Sequence, residues 1–144
     1  MRSLSYPDLP SVAALLAANQ LDPSDLAPDD MPHFLGIEVD QRLVATGALT
    51  PIAQLGLLRS VVTAQSARGQ GHANKIVRAL EARAVAQNIH HVYLLTDSAR
   101  NYFTGMGYQD VAREDAPPPI RATPQFEQLC PASAQVMLKV LAPQ

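Results

Sequence analysis

Four consecutive segments in the middle of the chain restrict its fold more than any other part of the sequence. The run Leu57–Thr63 is short, apolar and rich in branched side chains, which is typical of a buried strand. A segment with two glycines, Arg68–Ala73, follows it, then a helix predicted to reach Gln87, then a second buried strand, His91–Thr96. A strand, a crossover helix and a strand form a right-handed unit with parallel strands. The sequence therefore predicts a parallel pair of buried strands.

The remaining segments predict an α/β domain with a mixed sheet. At 144 residues, one domain is expected. Further helices are predicted over Pro10–Ala18 and Ala99–Met106, the second capped by Asp97 or Ser98 and stopped at Gly107. Further strands are predicted over Phe34–Val39, Arg42–Leu49, Tyr108–Arg113 and Ser133–Leu141, with Pro51 either ending the second of them or lying on an edge.

Charge and composition exclude several classes of protein. A formal net charge of -2, with the nine arginines dispersed, argues against a protein that binds nucleic acid along its phosphates. No stretch approaches the roughly 18 consecutive apolar residues of a membrane span, and no signal peptide is recognisable. The one cysteine, Cys130, allows no intrachain disulfide and is expected to be a packed thiol of a cytoplasmic protein. His90 and His91 lack partners for a metal site, so no metal is expected.

The glycine segment has the chemistry of a phosphate-binding loop. Gly69 and Gly71 permit backbone angles that other residues avoid, and the helix that follows directs its first amides outward. A plain turn between a strand and a helix is the alternative for the glycines alone. The Walker A sequence is absent, and Asn74 stands where a dinucleotide-binding loop has a third small residue.

Two motifs resemble a known family. The sequence Arg68-Gly69-Gln70-Gly71-His72-Ala73 resembles the Gln/Arg-x-x-Gly-x-Gly/Ala signature of the GNAT family of N-acetyltransferases, and Tyr102-Phe103-x-x-Met106-Gly107-Tyr108 is similar to the helix end of that family. The resemblance implies that residues 1–144 form a single N-acetyltransferase domain. It also implies a mixed, mostly antiparallel sheet with a central, splayed parallel pair and flanking helices.

The resemblance further implies that acetyl-CoA is the acetyl donor. Its pyrophosphate would lie on the loop, formed by Arg68, Gly69, Gln70, Gly71, His72, Ala73 and Asn74. Its pantetheine arm would pair with the backbone of Val61, Val62 and Thr63.

The catalytic residues are less clearly indicated. Many members of the family protonate the leaving thiolate with a tyrosine four residues before the glycine, where this chain has Phe103. Tyr102 is the first candidate for the acid and Ser98 the second, although Tyr102 also fits a partly buried helix aromatic. The central strand has no carboxylate to act as a base, and Thr50 occupies a position where one is expected. A non-catalytic CoA-binding or regulatory module is therefore the alternative function, and a nucleotide-binding module the third.

A narrower resemblance concerns the acceptor. The segments Leu57-Leu58-Arg59-Ser60, Tyr93-Leu94-Leu95-Thr96 and 121–134 are similar to a bacterial subgroup associated with arsenic-resistance gene clusters, which implies a small, amino-acid-like acceptor amine.

From the residues themselves, Arg59 and Arg121 are candidate guanidinium groups for an anionic substrate, with structural ion pairs as the alternative. An acidic run in the early loop is interpreted as a solvated face: Asp22, Asp25, Asp29 and Asp30. Two proline-rich loops, around residues 23–32 and 117–131, are expected to select the acceptor. A homodimer is left open.

Overall fold

The computed structural model describes residues 1–24, 26–129 and 133–142. The strands are β1 (Arg2–Ser3), β2 (Phe34–Val39), β3 (Arg42–Ile52), β4 (Leu55–Thr63), β5 (His91–Thr96), β6 (Gln109–Val111) and β7 (Gln135–Val140). The helices are α1 (Leu9–Ala18), α2 (His72–Ala86), α3 (Arg100–Gly105) and α4 (Pro118–Arg121). Short 3-10 turns and one π-helical turn, Gln125–Leu129, join them.

The seven strands form one mixed sheet in the order β1-β2-β3-β4-β5-β7-β6. Strands β4 and β5 run parallel, with Gly56 opposite Val92 and Leu57 opposite Tyr93. Strand β2 is antiparallel to β1 and β3, and β7 is antiparallel to β5 and β6. The predicted α/β fold with a mixed, mostly antiparallel sheet and a parallel pair is confirmed.

The central crossover unit also has the predicted boundaries to within two residues. Helix α2 buries one face, formed by Ile76, Val77, Leu80 and Ala84, at the spacing that predicted it. It ends near Asn88, whose φ of 62° is left-handed, and the amide of Ile89 donates to the carbonyl of Ala84.

The backbone clusters into two compact units. The first unit comprises Met1–Thr50 and Leu58–Arg83, and the second comprises Pro51–Leu57 and Ala84–Gln144. The core of the first unit contains Leu4, Val12, Leu15, Leu16, Met31, Phe34, Ala48 and Val62. The core of the second unit contains Leu57, Tyr93, Ala116, Ile120 and Val136.

Of two local expectations, one was half right and the other was wrong. Strand β3 does not end at Pro51 but continues to Ile52; Pro51 lies beyond Ala48, the last residue of β3 that pairs with β2, and so it lies on an edge on that side, as the alternative expectation has it. Helix α3 is not capped by Asp97 or Ser98. The hydroxyl of Thr96 instead accepts a hydrogen bond from the amide of Ala99 at 2.9 Å, because it lies at the end of β5 and faces the first turn.

Candidate functional site

The glycine segment between β4 and α2 is open on its outer side. Gly69 and Gly71 have φ values of 81° and 80°, in the left-handed region. A Cβ atom added at either residue would meet no other atom within 4 Å. The backbone angle, and not crowding, therefore requires glycine here, and the peptide groups remain accessible.

Helix α2 begins immediately after these glycines. The amide of Lys75 donates to the carbonyl of Gly71 at 3.1 Å, which is the first bond of the helix. The amides of His72, Ala73 and Asn74 therefore come before the first amide that donates within the helix, at the positive end of the helix dipole. Such an end favours an anion.

Arg68 connects the glycine segment to its surroundings in the first unit. Its Nε donates to the carbonyl of Thr63 at 3.2 Å, and its Nη2 donates to Oδ1 of Asn19 at 2.6 Å. The side chain of Asn19 in turn donates to the carbonyl of Leu15 in α1. The guanidinium remains exposed, so Arg68 both fixes the entry to the loop and places a positive charge beside it.

His72 has unmet hydrogen-bonding capacity. Both of its ring nitrogens are shielded from solvent, and neither has a hydrogen-bond partner among the residues that the structure describes. A buried polar group without a partner is costly unless something else satisfies it.

Arg59 on β4 has a nearly buried side chain, 9% exposed. Its Nη2 lies 3.3 Å from Oδ1 of Asp30, and its Nε donates to Oγ1 of Thr50 at 3.2 Å. The guanidinium also lies 5.8 Å from the centre of the Phe34 ring. Thr50 therefore contributes a hydroxyl to Arg59 at the position where a carboxylate was expected.

Asp30 is the residue that the sequence interpretation missed. It does not belong to a solvated face, because one carboxylate oxygen contacts Arg59 and the other accepts a hydrogen bond from the amide of Ala27 at 2.9 Å. Pro28 at the start of the turn, with an acidic residue two positions later, is a local signal for this backbone hydrogen bond. Asp25 lies outside the described residues.

In the second unit, the two adjacent aromatic residues of α3 differ in environment. Phe103 is 7% exposed, and its ring centre lies 5.0 Å from that of Tyr102 and 5.6 Å from that of Tyr108, both edge to face. Tyr102 is half-buried. Phe103 is therefore a core aromatic.

The end of α3 confirms the predicted stop at Gly107, whose φ is 98°. The structure adds a contact that the sequence did not indicate, because Nζ of Lys139 donates to the carbonyl of Met106 at 2.9 Å. A cation at the carboxyl end of a helix is favourable. A Cβ at Gly107 would lie 3.3 Å from Cε of Lys139.

The other hydroxyl candidates lie near the end of β5. Ser98 is exposed, in the bend that precedes α3. Thr96 is half-buried, and its hydroxyl already accepts a hydrogen bond from the amide of Ala99, the residue before α3. Burial raises the pKa of the Tyr93 phenol, which belongs to the core of the second unit.

Arg121 and Arg113 have different roles in the late segment. Arg121 is exposed at the end of α4. Arg113 donates to the carbonyls of Phe126 and Ala134 at 3.0 and 3.3 Å, and its guanidinium lies 4.3 Å from the centre of the Phe126 ring. Cys130, expected as a packed thiol, lies outside the described residues.

The described ranges contain neither a metal-binding cluster nor a membrane-spanning helix. They hold no group of three or more His, Cys, Asp or Glu side chains that could bind a metal ion. None of the helices in residues 1–24, 26–129 and 133–142 is long and apolar enough to cross a membrane.

Comparison with known proteins gives one family match. The profile of the Acetyltransferase (GNAT) family matches residues 3–108.

Several solved structures share the fold. N-acetylglutamate synthase from Neisseria gonorrhoeae, solved with coenzyme A and N-acetyl-glutamate, superposes with a TM-score of 0.84 at 18% identity over 98% of this chain. This chain spans only 34% of that protein. Rv2747 from Mycobacterium tuberculosis, solved with CoA and NLQ, gives a TM-score of 0.81 at 20% identity and 98% coverage of both chains. An acetyltransferase of the GNAT family from Staphylococcus aureus gives 0.76 at 16% identity, again with 98% coverage of both chains.

Proposed function

Because the chain belongs to the acetyltransferase (GNAT) family, we propose that it is an acetyl-CoA-dependent N-acetyltransferase acting on a small, amino-acid-like amine. The reaction is direct attack of the amine in a ternary complex, and residues 1–144 act as one catalytic domain. The observation that carries the proposal is the open glycine segment, with its two left-handed glycines leading into the amino end of α2.

The glycine segment is assigned to the donor. The backbone from Arg68 to Asn74 holds the pyrophosphate, since accessible peptide groups and a helix amino end suit a phosphate. The shielded nitrogens of His72 offer hydrogen-bonding capacity at the same place. The backbone of Val61, Val62 and Thr63 pairs with the amides of the pantetheine arm. The gonococcal and mycobacterial neighbours were both solved with CoA, which supports this assignment.

The residues of this chain then have to orient the amine, accept its proton and protonate the departing sulfur. When bound, acetyl-CoA supplies an activated acetyl thioester. Tyr102 is assigned as the group that donates a proton to the departing sulfur, with Ser98 as the second candidate. Water or an amine that binds in its neutral form replaces the missing carboxylate base.

Arg59 is assigned to the acceptor. A guanidinium that is nearly buried and already contacts one carboxylate, that of Asp30, suits an acceptor that carries a carboxylate. The gonococcal and mycobacterial neighbours were solved in complex with N-acetyl-glutamate and NLQ, which supports a small ligand here. Arg121 is the second candidate. The resemblance to the arsenic-resistance subgroup points to the same class of acceptor, although Cys130 and Pro131 of its motif lie outside the described residues.

The remaining assignments rest on composition. A single cysteine and a net charge of -2 support a cytoplasmic enzyme without a nucleic-acid partner, and no metal takes part in the proposed reaction.

Thermal unfolding with saturating acetyl-CoA tests donor binding. We expect a raised Tm for the wild type and no shift for Gly71→Glu, because the new side chain strains the backbone and repels phosphate. Gly105→Glu is the matched control, since Gly105 also has open space around it but lies outside the loop, and it retains the shift. A wild type that acetyl-CoA does not stabilise contradicts the proposal. Stronger stabilisation by ATP or NAD indicates a nucleotide-binding module instead.

One observation favours a second function, a CoA-binding or regulatory module without catalysis. Phe103 is a core aromatic at the position where many relatives have the acid. Release of free thiol from acetyl-CoA across a panel of amines separates the two functions, because release with any amine rejects the second. If thiol is released, Tyr102→Phe should reduce kcat at least tenfold by removing the proton donor. Tyr6→Phe, at an exposed position, is the control.

A further inference from the structure

Ser60 has an unusual backbone conformation for a residue inside a strand. Its φ is 57°, although β4 runs from Leu55 to Thr63 without interruption. For a residue with a Cβ atom, the left-handed region costs roughly 1–2 kcal/mol. Such strain persists only where neighbouring groups impose it, and it is concentrated at functional sites.

The pairing of β4 with β3 explains the conformation. Ala53 and Gln54 form a two-residue turn between the strands, and this turn alone would set Val44 opposite Thr63. Instead, the amide of Ala64 donates to the carbonyl of Val44 at 2.7 Å. Strand β4 therefore contains one residue more than β3 over this stretch, which is a β-bulge, and the left-handed φ is at Ser60.

Thr46 on β3 holds the bulge from the side. Its side chain is fully buried, at 0% exposure, and its Oγ1 donates to the carbonyl of Ser60 at 2.9 Å. The next residue, Gly47, has no room for a side chain, because a Cβ there would lie 2.6 Å from Cγ2 of Ile76 in α2 and 3.5 Å from Cγ2 of Val61. The strand that carries the Thr46 hydroxyl is thus itself fixed by close packing.

We propose that Thr46 is a positioning residue for donor binding. By holding the carbonyl of Ser60, its hydroxyl maintains the bulge and so sets the direction of the peptide groups of Val61 and Val62. The inference rests on the proposed function, which assigns those peptide groups to the pantetheine arm. Thr46 itself is buried on the neighbouring strand β3, so it acts through Ser60.

The test compares Thr46→Val with Thr46→Ser. Valine keeps the shape but loses the hydroxyl, whereas serine keeps the hydroxyl. We expect Thr46→Val to raise the Kd and KM for acetyl-CoA about tenfold and to leave the KM for the acceptor within about twofold. Thr46→Ser should return the KM for acetyl-CoA to within about threefold of the wild type. Adding Ser60→Gly to Thr46→Val should recover part of the affinity, because glycine adopts the left-handed angle without strain.

A matched control separates this role from a general loss of stability. Thr123 is also buried, and its Oγ1 donates to the carbonyl of Ile120 at 2.7 Å. Thr123→Val should lower Tm without changing the Kd for acetyl-CoA. If Thr46→Val behaves like Thr123→Val, or if serine does not rescue it, the positioning role is wrong.

Amide hydrogen exchange in the protein without ligand keeps the inference distinct from the proposed function. Thr46→Val should accelerate exchange in the β4 segment, and unchanged exchange overturns the inference whatever the ligand. If exchange accelerates and wild-type protein binds acetyl-CoA with an affinity that Thr46→Val does not alter, only the positioning role fails. If wild-type protein does not bind acetyl-CoA, the proposed function fails and the role of Thr46 in donor binding fails with it.

Discussion

Two irregular segments can be compared: the glycine segment in the first unit and the late segment, residues 112–129, in the second. In each, an arginine side chain donates hydrogen bonds to backbone carbonyls. Arg68 donates to the carbonyl of Thr63, and Arg113 donates to those of Phe126 and Ala134. They differ in what surrounds the backbone. The glycines have open space, whereas the late segment buries Ala116, Ile120 and Thr123.

The comparison shows that an irregular segment can be organised in two ways, either to bind a ligand or to pack into the core. Accessible peptide groups at a helix amino end suit a phosphate, so the glycine segment is organised for a ligand. The late segment is organised by apolar packing, and its prolines reduce the conformational entropy of the unfolded chain. The expectation that both proline-rich loops select the acceptor stays a prediction. The early loop contributes Asp30 to Arg59, and for the late loop the candidate is the exposed Arg121.

The largest expected effect is in the late segment. Ile120 is fully buried in the core of the second unit, so Ile120→Ala should lower the free energy of unfolding by about 2–5 kcal/mol. Urea denaturation measures it, with the exposed Val140→Ala as a control that changes it little. A cost below about 1 kcal/mol would mean that this segment is not held by packing, and the contrast between the two regions would fail.

An intermediate effect is expected in the glycine segment. Gly69→Ala and Gly71→Ala should each cost about 1 kcal/mol, because only the backbone angle opposes a Cβ there. Gly47→Ala should cost more, about 1–3 kcal/mol, since its Cβ would overlap Ile76. Thermal unfolding of the three variants checks the order. Equal costs would contradict the openness of the glycine segment.

The smallest effect concerns an exposed ion pair in each unit. Hydrogen bonds from Arg2 are the main cause that lowers the pKa of Asp8 to about 2, and those from Arg100 lower the pKa of Asp110. Because both pKa values are depressed by folding, their stabilisation is present above the ordinary carboxyl pKa and is lost as the pH falls through the folded value.

Asp8→Asn should therefore remove a small part of the stability above pH 4, less than about 1 kcal/mol, and progressively less as the pH falls to 2 and below. Tm measured against pH checks this, with Asp110→Asn as the counterpart in the second unit. A variant that loses as much stability at pH 2 as at pH 7 would show that Asp8 acts by packing and not by charge.

Local patterns predicted the elements because each depends on neighbours in sequence. The apolar spacing of Ile76, Val77 and Leu80 identified α2, and Gly107 marked the end of α3. The same reasoning predicted a side-chain cap that α3 lacks, because Thr96, Asp97 and Ser98 all have side chains that can accept a backbone amide near a helix start. Only the course of the chain after β5 determines which of them faces the amide of Ala99.

By itself, the sequence determined the crossover unit and the glycine loop, since φ preference and hydrophobic periodicity act within a few residues. The tertiary structure decided which distant side chains meet: Arg59 with Asp30, Arg68 with Asn19, and Thr46 with the carbonyl of Ser60. These partners are far apart along the chain, and strand register and packing bring them together. No local pattern contains that information, because a hydrogen bond between distant residues depends on the folded positions of both backbones.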